Sequence, residues 1–240
     1  MRQRIFKIIF VFFLFSPVVL GQTFNDFYEL LKKNDIAGMK EFIQKCENPD
    51  LTDSIGSTIL SHVCYYENLK EIFDLLLKKG ANANAKNYYN QTPLFVASQN
   101  SYYYTEQLLK KGANVNIVDF QGQTPLFSTI INQLFTENLD FKIIDLLLKY
   151  GANINVQMIP PKSWKPPENS PVVIEVDTEN EGATPLMFAV MVNNIEMVKY
   201  LLKHGANPNI KTKKGETALS LAKREGFTEI IKLLKQYSKK

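Results

Sequence analysis

The sequence predicts an all-α solenoid of about six helix-turn-helix units with projecting β-hairpin-like loops. Three observations carry that fold class. The phrase Leu-Leu-x-x-Gly-Ala-Asn recurs at 76–82, 108–114, 147–153 and 201–207, and Thr-Pro-Leu recurs at 92–94, 124–126 and 184–186. The interval between the two is fixed at 12 residues for Gly80 to Thr92, Gly112 to Thr124 and Gly205 to Thr217. Units of this kind cannot bury an apolar face alone, so they stack into one elongated domain.

The first element is a leader. Arg2, Arg4 and Lys7 precede the apolar run Ile8 to Phe15, and Val19 and Gly21 supply small residues at the −3 and −1 positions for cleavage after Gly21. The run falls short of the roughly 20 residues of a spanning helix, so residues 1–21 are expected to be a cleaved signal and the mature chain to have no stable membrane span. That places the protein in the periplasm or outside the cell.

The repeating elements follow. Weaker helix starts at Thr58-Ile59-Leu60 and Thr217-Ala218-Leu219 keep the register, as does Cys46, which lies 12 residues before Thr58. Counting back a further 21 places the first helix start at Asn25. Helix starts near 25, 58, 92, 124, 184 and 217 define units near 24–52, 53–86, 87–118, 119–157, 178–211 and 212–240, the first and last serving as caps. Thr at each start can cap exposed N–H groups, and Pro next to it sits where no N–H partner is needed. The paired leucines give the second helix an apolar stripe, and the Gly that follows suits a left-handed helix end. Ala-Asn-x-Asn then leads into the hairpin-like loop, helped by Gly56, Gly122, Gly182 and Gly215.

These phrases and their spacing resemble the ankyrin repeat, whose helix start reads Thr-Pro-Leu-His. The chain has Phe95, Phe127, Met187 and Ser220 at the His position, so apolar packing replaces a polar contact in three units. The resemblance implies a non-enzymatic protein-binding module that uses its loop tips and the concave face of its inner helices. Mapped onto this sequence, the tips are Tyr88, Tyr89 and Gln91, then Phe120, Gln121 and Gln123, then Lys213, Lys214 and Glu216. The inner-helix positions are Tyr65, Tyr66, Gln99 and Asn100. Tyr102, Tyr103 and Tyr104 fall at an inter-helix turn and read mostly as packing.

Two insertions break the period. Thr124 to Gly151 is 27 residues where Thr184 to Gly205 is 21, which adds about six around 133–138. Gly151 to Thr184 is 33 residues instead of 12. The added segment, 158–177, holds Pro160, Pro161, Pro166, Pro167, Pro171 and the only Trp, Trp164. Its prolines predict an irregular loop, with Val172-Val173-Ile174-Glu175-Val176 as a short strand. Trp164 is read either as packing on the solenoid or as a partner anchor.

Composition excludes several function classes. With 28 Lys+Arg against 24 Asp+Glu, the formal charge is +4, and removing the three leader cations leaves +1. That gives no electrostatic case for nucleic acid. Residues 211–240 carry nine basic and three acidic residues, which suits the polar outer face of a capping repeat or an acidic partner. His62 and His204 sit in no ligand or triad spacing and are expected to be structural; neither a metal nor a cofactor is expected. Cys46 and Cys64 leave a disulfide and two buried thiols both open. The partner is expected to be another protein, bound by a monomer. The roles considered are scaffold, inhibitor or protector of an envelope protein, with a secreted effector acting on a host protein and a hydrolase using the inserted loop as competing readings.

Overall fold

The computed structural model describes residues 22–136, 139–161 and 180–238. The leader, Trp164 and the expected strand at 172–176 lie outside the described residues. The α-helices are α1 (Phe24–Lys32), α2 (Ile36–Lys45), α3 (Ile59–Val63), α4 (Lys70–Lys78), α5 (Pro93–Asn100), α6 (Tyr102–Lys110), α7 (Pro125–Gln133), α8 (Lys142–Lys149), α9 (Pro185–Met191), α10 (Ile195–Lys203), α11 (Ala218–Arg224) and α12 (Thr228–Tyr237). A 3-10 turn, Glu67–Leu69, precedes α4. Extended pairing among the described residues is limited to an isolated antiparallel bridge between Thr52 and Thr58, so the fold is the all-α solenoid that the repeats predict.

Thr side chains cap the odd-numbered helices except α5, where Thr92 holds the position without a side-chain cap bond. Thr58, Thr124, Thr184 and Thr217 each accept the N–H three residues on, at 3.2–3.4 Å, while Pro93, Pro125 and Pro185 open their helices. The first helix runs from Phe24, and its capping residue lies two before the expected Asn25. Thr23 caps it, and the Thr23 N–H donates in return to the Asp26 carboxylate at 2.8 Å. This reciprocal box fixes the start where no Thr-Pro-Leu phrase marks it. Cys46 holds the register position of the terminating glycines, but its φ is −66°, so α2 ends by running straight into extended chain.

Each odd-numbered helix packs on its even-numbered partner, and α3, α5, α7, α9 and α11 form a contiguous row. Leu60, Leu94, Leu126 and Leu186 from that row meet Leu76, Leu108, Leu147 and Leu201 from the second helices, all buried in one continuous core. Each such leucine contributes about 2 kcal/mol by leaving water. Cys46 and Cys64 are both buried and both free, which resolves the open pairing in favour of thiols: Cys46 Sγ donates to the Asn48 carbonyl, and burial pushes the Cys64 thiol far up.

Polar bonds tie unit to unit along the opposite edge. The second Asn of the first three Ala-Asn-x-Asn phrases spans two repeats. Asn116, for example, donates through Nδ2 to Gly151 O (2.9 Å) and accepts from the Asn153 N–H (2.8 Å). Asn84 and Asn155 repeat the arrangement toward Gly112 and Asn114, and toward Gly205 and Asn207. The 133–138 insertion lengthens the α7–α8 connection, which Gln133 closes by accepting from the Asp140 N–H at 2.9 Å. Phe141 then stacks flat on Tyr200 at 4.0 Å, joining α8 to α10.

Candidate protein-interaction surface

The hairpin tips are built by an Asx turn. Asn87 Oδ1 accepts from the N–H groups of Tyr89 (2.9 Å) and Gln91 (3.0 Å), and Asp119 Oδ1 accepts from those of Gln121 and Gln123, both at 2.9 Å. Asp53 does the same for Ile55 and Ser57. The short side chain satisfies backbone donors that a two-residue tip cannot pair internally. Successive tips are then linked by backbone rungs: Tyr88 N to Ile55 O (2.9 Å), Phe120 N to Tyr89 O (3.0 Å) and Lys213 N to Glu181 O (3.0 Å).

The feet of the long insertion use the same register. Met158 N donates to Ala183 O (2.9 Å) and Gly182 N to Met158 O (2.8 Å), as Asp119 N does to Gln123 O and Gly122 N to Asp119 O. The added residues therefore enter at a hairpin tip, between Met158 and Gly182. The carboxamide of Gln157 holds the outgoing foot, donating to Gly182 O (2.8 Å) and Lys211 O (2.9 Å).

The expected contact residues divide into two groups. Tyr88, Tyr65 and Tyr66 are 51%, 58% and 44% exposed, and Gln99 and Asn100 are exposed at the end of α5. Tyr89 and Phe120 are half-buried against each other, with ring centroids 5.5 Å apart. Gln91, Gln121 and Gln123 are half-buried as well, and Gln123 Nε2 reaches Gln121 Oε1 and the Met158 sulfur. The tips and the inner-helix ends thus form two adjoining strips. Phe135, 69% exposed after α7, extends the second strip and had no repeat-register signal, because it belongs to an insertion. Lys213 pairs with Glu181 at 2.6 Å, and Glu216 pairs with Arg224.

The three tyrosines 102–104 open α6 instead of lying in a turn. Tyr104 is buried and Tyr103 half-buried with its hydroxyl on Asp74, but Tyr102 is 46% exposed, so packing describes only two of them. His62 Nε2 lies 2.8 Å from Asp53 Oδ2, with Phe24 at 4.8 Å between ring centroids. His204 stacks on Tyr200 at 4.0 Å, and that tyrosine hydroxyl donates to Asp145. Among the described residues no cluster of three or more His, Cys, Asp or Glu could hold a metal ion.

The recurrence of this helix-turn-helix-hairpin unit agrees with the comparison to known families: the model for ankyrin repeats in three copies matches residues 28–119 and 169–240, about two thirds of the chain. The chain belongs to the ankyrin repeat family. Its relatives include ankyrin repeat family A protein 2 of Mus musculus, 47% identical over 52 residues, and the ankyrin repeat protein YahD of Escherichia coli (strain K12), 42% identical over 62 residues. The 2-5A-dependent ribonuclease of Homo sapiens is 31% identical over 94 residues. These matches cover 22%, 24% and 39% of this chain but only 17%, 31% and 10% of the three relatives. Likeness therefore extends to the repeats and not to the relatives' remaining parts.

In this ankyrin domain Asp119 makes the tip chemistry pH-dependent. It is buried, and desolvation raises its pKa to about 6 despite the opposing bonds from Gln123, Gln121 and Gln91. A carboxyl that holds its proton more tightly folded than unfolded loses stabilising effect as pH rises through the folded value, so the cost is complete above about pH 6 and vanishes near pH 4. Asn87 performs the same turn without charge. Asp119→Asn is expected to raise stability at pH 7.5 by on the order of 2 kcal/mol and to leave it nearly unchanged at pH 4. Urea unfolding of both proteins at the two pH values checks this; equal gains at both would contradict it.

Proposed function

We propose that this chain is an exported, non-enzymatic ankyrin module that binds another protein, as scaffold, inhibitor or protector of an envelope protein in the periplasm or outside the cell. Ankyrin repeats are protein-interaction modules in general, and the family membership supports that much for this chain. The observation that carries the assignment is the ordered aromatic row at the hairpin tips. Tyr88 is half exposed while backbone rungs and the Tyr89–Phe120 contact fix its surroundings, so binding would immobilise little that is not already held. Rigid tyrosines of this kind supply contact area at low entropic cost. The leader supports export, and among the described residues no helix is long and apolar enough to cross a membrane. Trp164 is proposed as an additional anchor.

The test is an affinity capture from the source's envelope extract with residues 22–240 as bait, beside a bait carrying Tyr88→Ala, Tyr89→Ala and Phe120→Ala. A stoichiometric protein retained by the first and lost by the second, at least tenfold, is the expected result. Equal capture by both baits would remove the tips from the interface and turn attention to Trp164. Mass spectrometry of the cell-derived protein should place its N-terminus at Gln22, and the fraction that holds it decides between envelope and culture medium.

A further inference from the structure

The second helices end in lysines that the fold collects into one row. Two residues before the terminating glycine stand Lys78 on α4, Lys110 on α6, Lys149 on α8 and Lys203 on α10, and Lys79 and Lys111 follow directly in the first two. All six are exposed. Their helix ends lie side by side, because the asparagine bonds run from each turn to the glycine that ends the next second helix: Asn84 to Gly112 O (3.1 Å), Asn116 to Gly151 O (2.9 Å) and Asn155 to Gly205 O (3.3 Å). Helices packed about 8–10 Å apart make the row from α4 to α10 roughly 24–30 Å long. Around it residues 75–86, 107–118, 146–158 and 197–215 contain no Asp or Glu. Asp74, Glu106 and Asp145, which precede the first three stretches, are engaged with Lys70, Lys110 and the Tyr200 hydroxyl. Lys78, Lys111, Lys149 and Lys203 form no ion pair among the described residues. The helix dipole favours a cation at each of these ends, but it calls for neither the second lysine of α4 and α6 nor the acid-free surround. The row stops at α2, where Glu47 and Asp50 occupy the corresponding turn.

We infer that this lysine row rests on an anionic phospholipid surface and holds the solenoid there by one edge. Between the lysines the turns expose chiefly Gly and Asn, and the one ring among them, Tyr150, is 38% exposed. Such an edge lacks the apolar anchors by which folded proteins are recognised, and Lys is depleted where proteins meet. It also contains no Arg fork for a fixed phosphate and no stacking platform for bases. Lysine is a compact, hydrated point charge on a flexible stem, which suits a surface that presents many phosphates in no fixed arrangement. Charge complementarity therefore selects headgroups. Each lysine held near an anionic bilayer raises affinity about fivefold, so the four unpaired ones together supply on the order of several hundredfold. The inference is separate from the protein-binding reading, which concerns the hairpin tips.

The experiment co-sediments residues 22–240, which contain every described helix and omit the apolar leader run, with vesicles of phosphatidylcholine alone or with 30% phosphatidylglycerol. Binding to the anionic vesicles at 50 mM NaCl, none to the neutral ones, and at least a tenfold loss of affinity at 300 mM are expected. Lys78→Gln, Lys111→Gln, Lys149→Gln and Lys203→Gln together are expected to weaken binding at least a hundredfold with unchanged circular dichroism, and the last two alone at least tenfold. A control with the same change of net charge, Lys33→Gln, Lys214→Gln, Lys223→Gln and Lys232→Gln, all exposed outside the row, is expected to lose less than fivefold. Tyr88→Ala should bind the vesicles as the unaltered chain does, which keeps this result distinct from partner capture at the tips. Absence of binding to anionic vesicles, equal binding to neutral ones, or equal losses in the two fourfold variants would overturn the inference. Tighter binding of soluble polyphosphate than of vesicles would make the occupant a linear polyanion, and a captured envelope protein lost from the row variant would make it a protein; either equally overturns the lipid assignment.

Discussion

Replacing Tyr104 by alanine is expected to cost about 3–5 kcal/mol, and replacing it by phenylalanine about 1–2 kcal/mol. The ring is 1% exposed and stacks on Phe73 of α4 at 4.3 Å, with 24° between the planes. Its hydroxyl donates to the carbonyls of Tyr66 (2.8 Å) and Glu67 (3.2 Å), which end the turn after α3. Alanine empties a ring-sized cavity and removes the hydroxyl's bonds to both carbonyls, whereas phenylalanine only removes those bonds, leaving Tyr66 O the Leu69 N–H. Burial pushes the hydroxyl up to about 12, so it remains a donor at every pH at which the domain is studied. The expected loss is a large share of the 5–15 kcal/mol that stabilises a typical domain. Because a solenoid is held by nearest-neighbour interfaces, the damage should appear first between the second and third units. Urea unfolding gives the magnitudes, and hydrogen exchange over residues 59–78 and 102–110 gives the location. Tyr104→Phe unfolding at the wild-type midpoint would show that the two carbonyl bonds contribute nothing. The same bonds hold the backbone at Tyr66, so Tyr104→Phe should also weaken any ligand of that strip while leaving the hairpin tips intact.

The repeat was legible because its signals are local. A Thr cap, a Pro beside it and a Gly at the helix end each act within one turn, and the 12-residue interval between them follows from a hairpin of constant length. Where the local signal is missing, reading fails by a small amount: Thr23 and Asp26 cap α1 without a Pro, and counting from Cys46 placed the cap at Asn25, two residues late. Spacing alone did not decide the pairing of Cys46 and Cys64, because whether two thiols meet depends on tertiary packing, which leaves both buried and free. The 158–177 insertion was visible as excess length, but its feet at Met158 and Gly182 are defined by backbone bonds that join residues more than twenty apart. Phe135 and Tyr102 were misjudged or missed for a related reason: an insertion and an early helix start change which side of the chain meets solvent.

Gly122→Val is expected to destabilise by more than about 3 kcal/mol, and Gly122→Ala by only slightly less, with a control that separates two causes. Gly122 and Gly80 both adopt left-handed backbone, at φ 82° and 92°. A side chain at either pays about 1–2 kcal/mol for that conformation. At Gly80 nothing lies within 4 Å of an added Cβ, so Gly80→Ala should cost that amount and no more. At Gly122 the added Cβ would overlap the backbone N, C and O of Ile159, and backbone cannot swing aside as a flexible side chain can. The hairpin tip of the fourth unit is therefore seated directly beneath the first residues of the long insertion. Displacing Ile159 would strain the Met158–Ala183 and Gly182–Met158 pairing that closes the insertion's feet, and through Ala183 the Thr184 cap of α9. The effect should thus propagate toward the C-terminal repeats: in Gly122→Ala, amide exchange is expected to rise at residues 182–191 while residues 59–78 stay protected. Gly80→Ala should leave both regions as they are. Equal destabilisation by the two alanine substitutions would mean that backbone conformation alone sets the cost and that the insertion's foot is free to move.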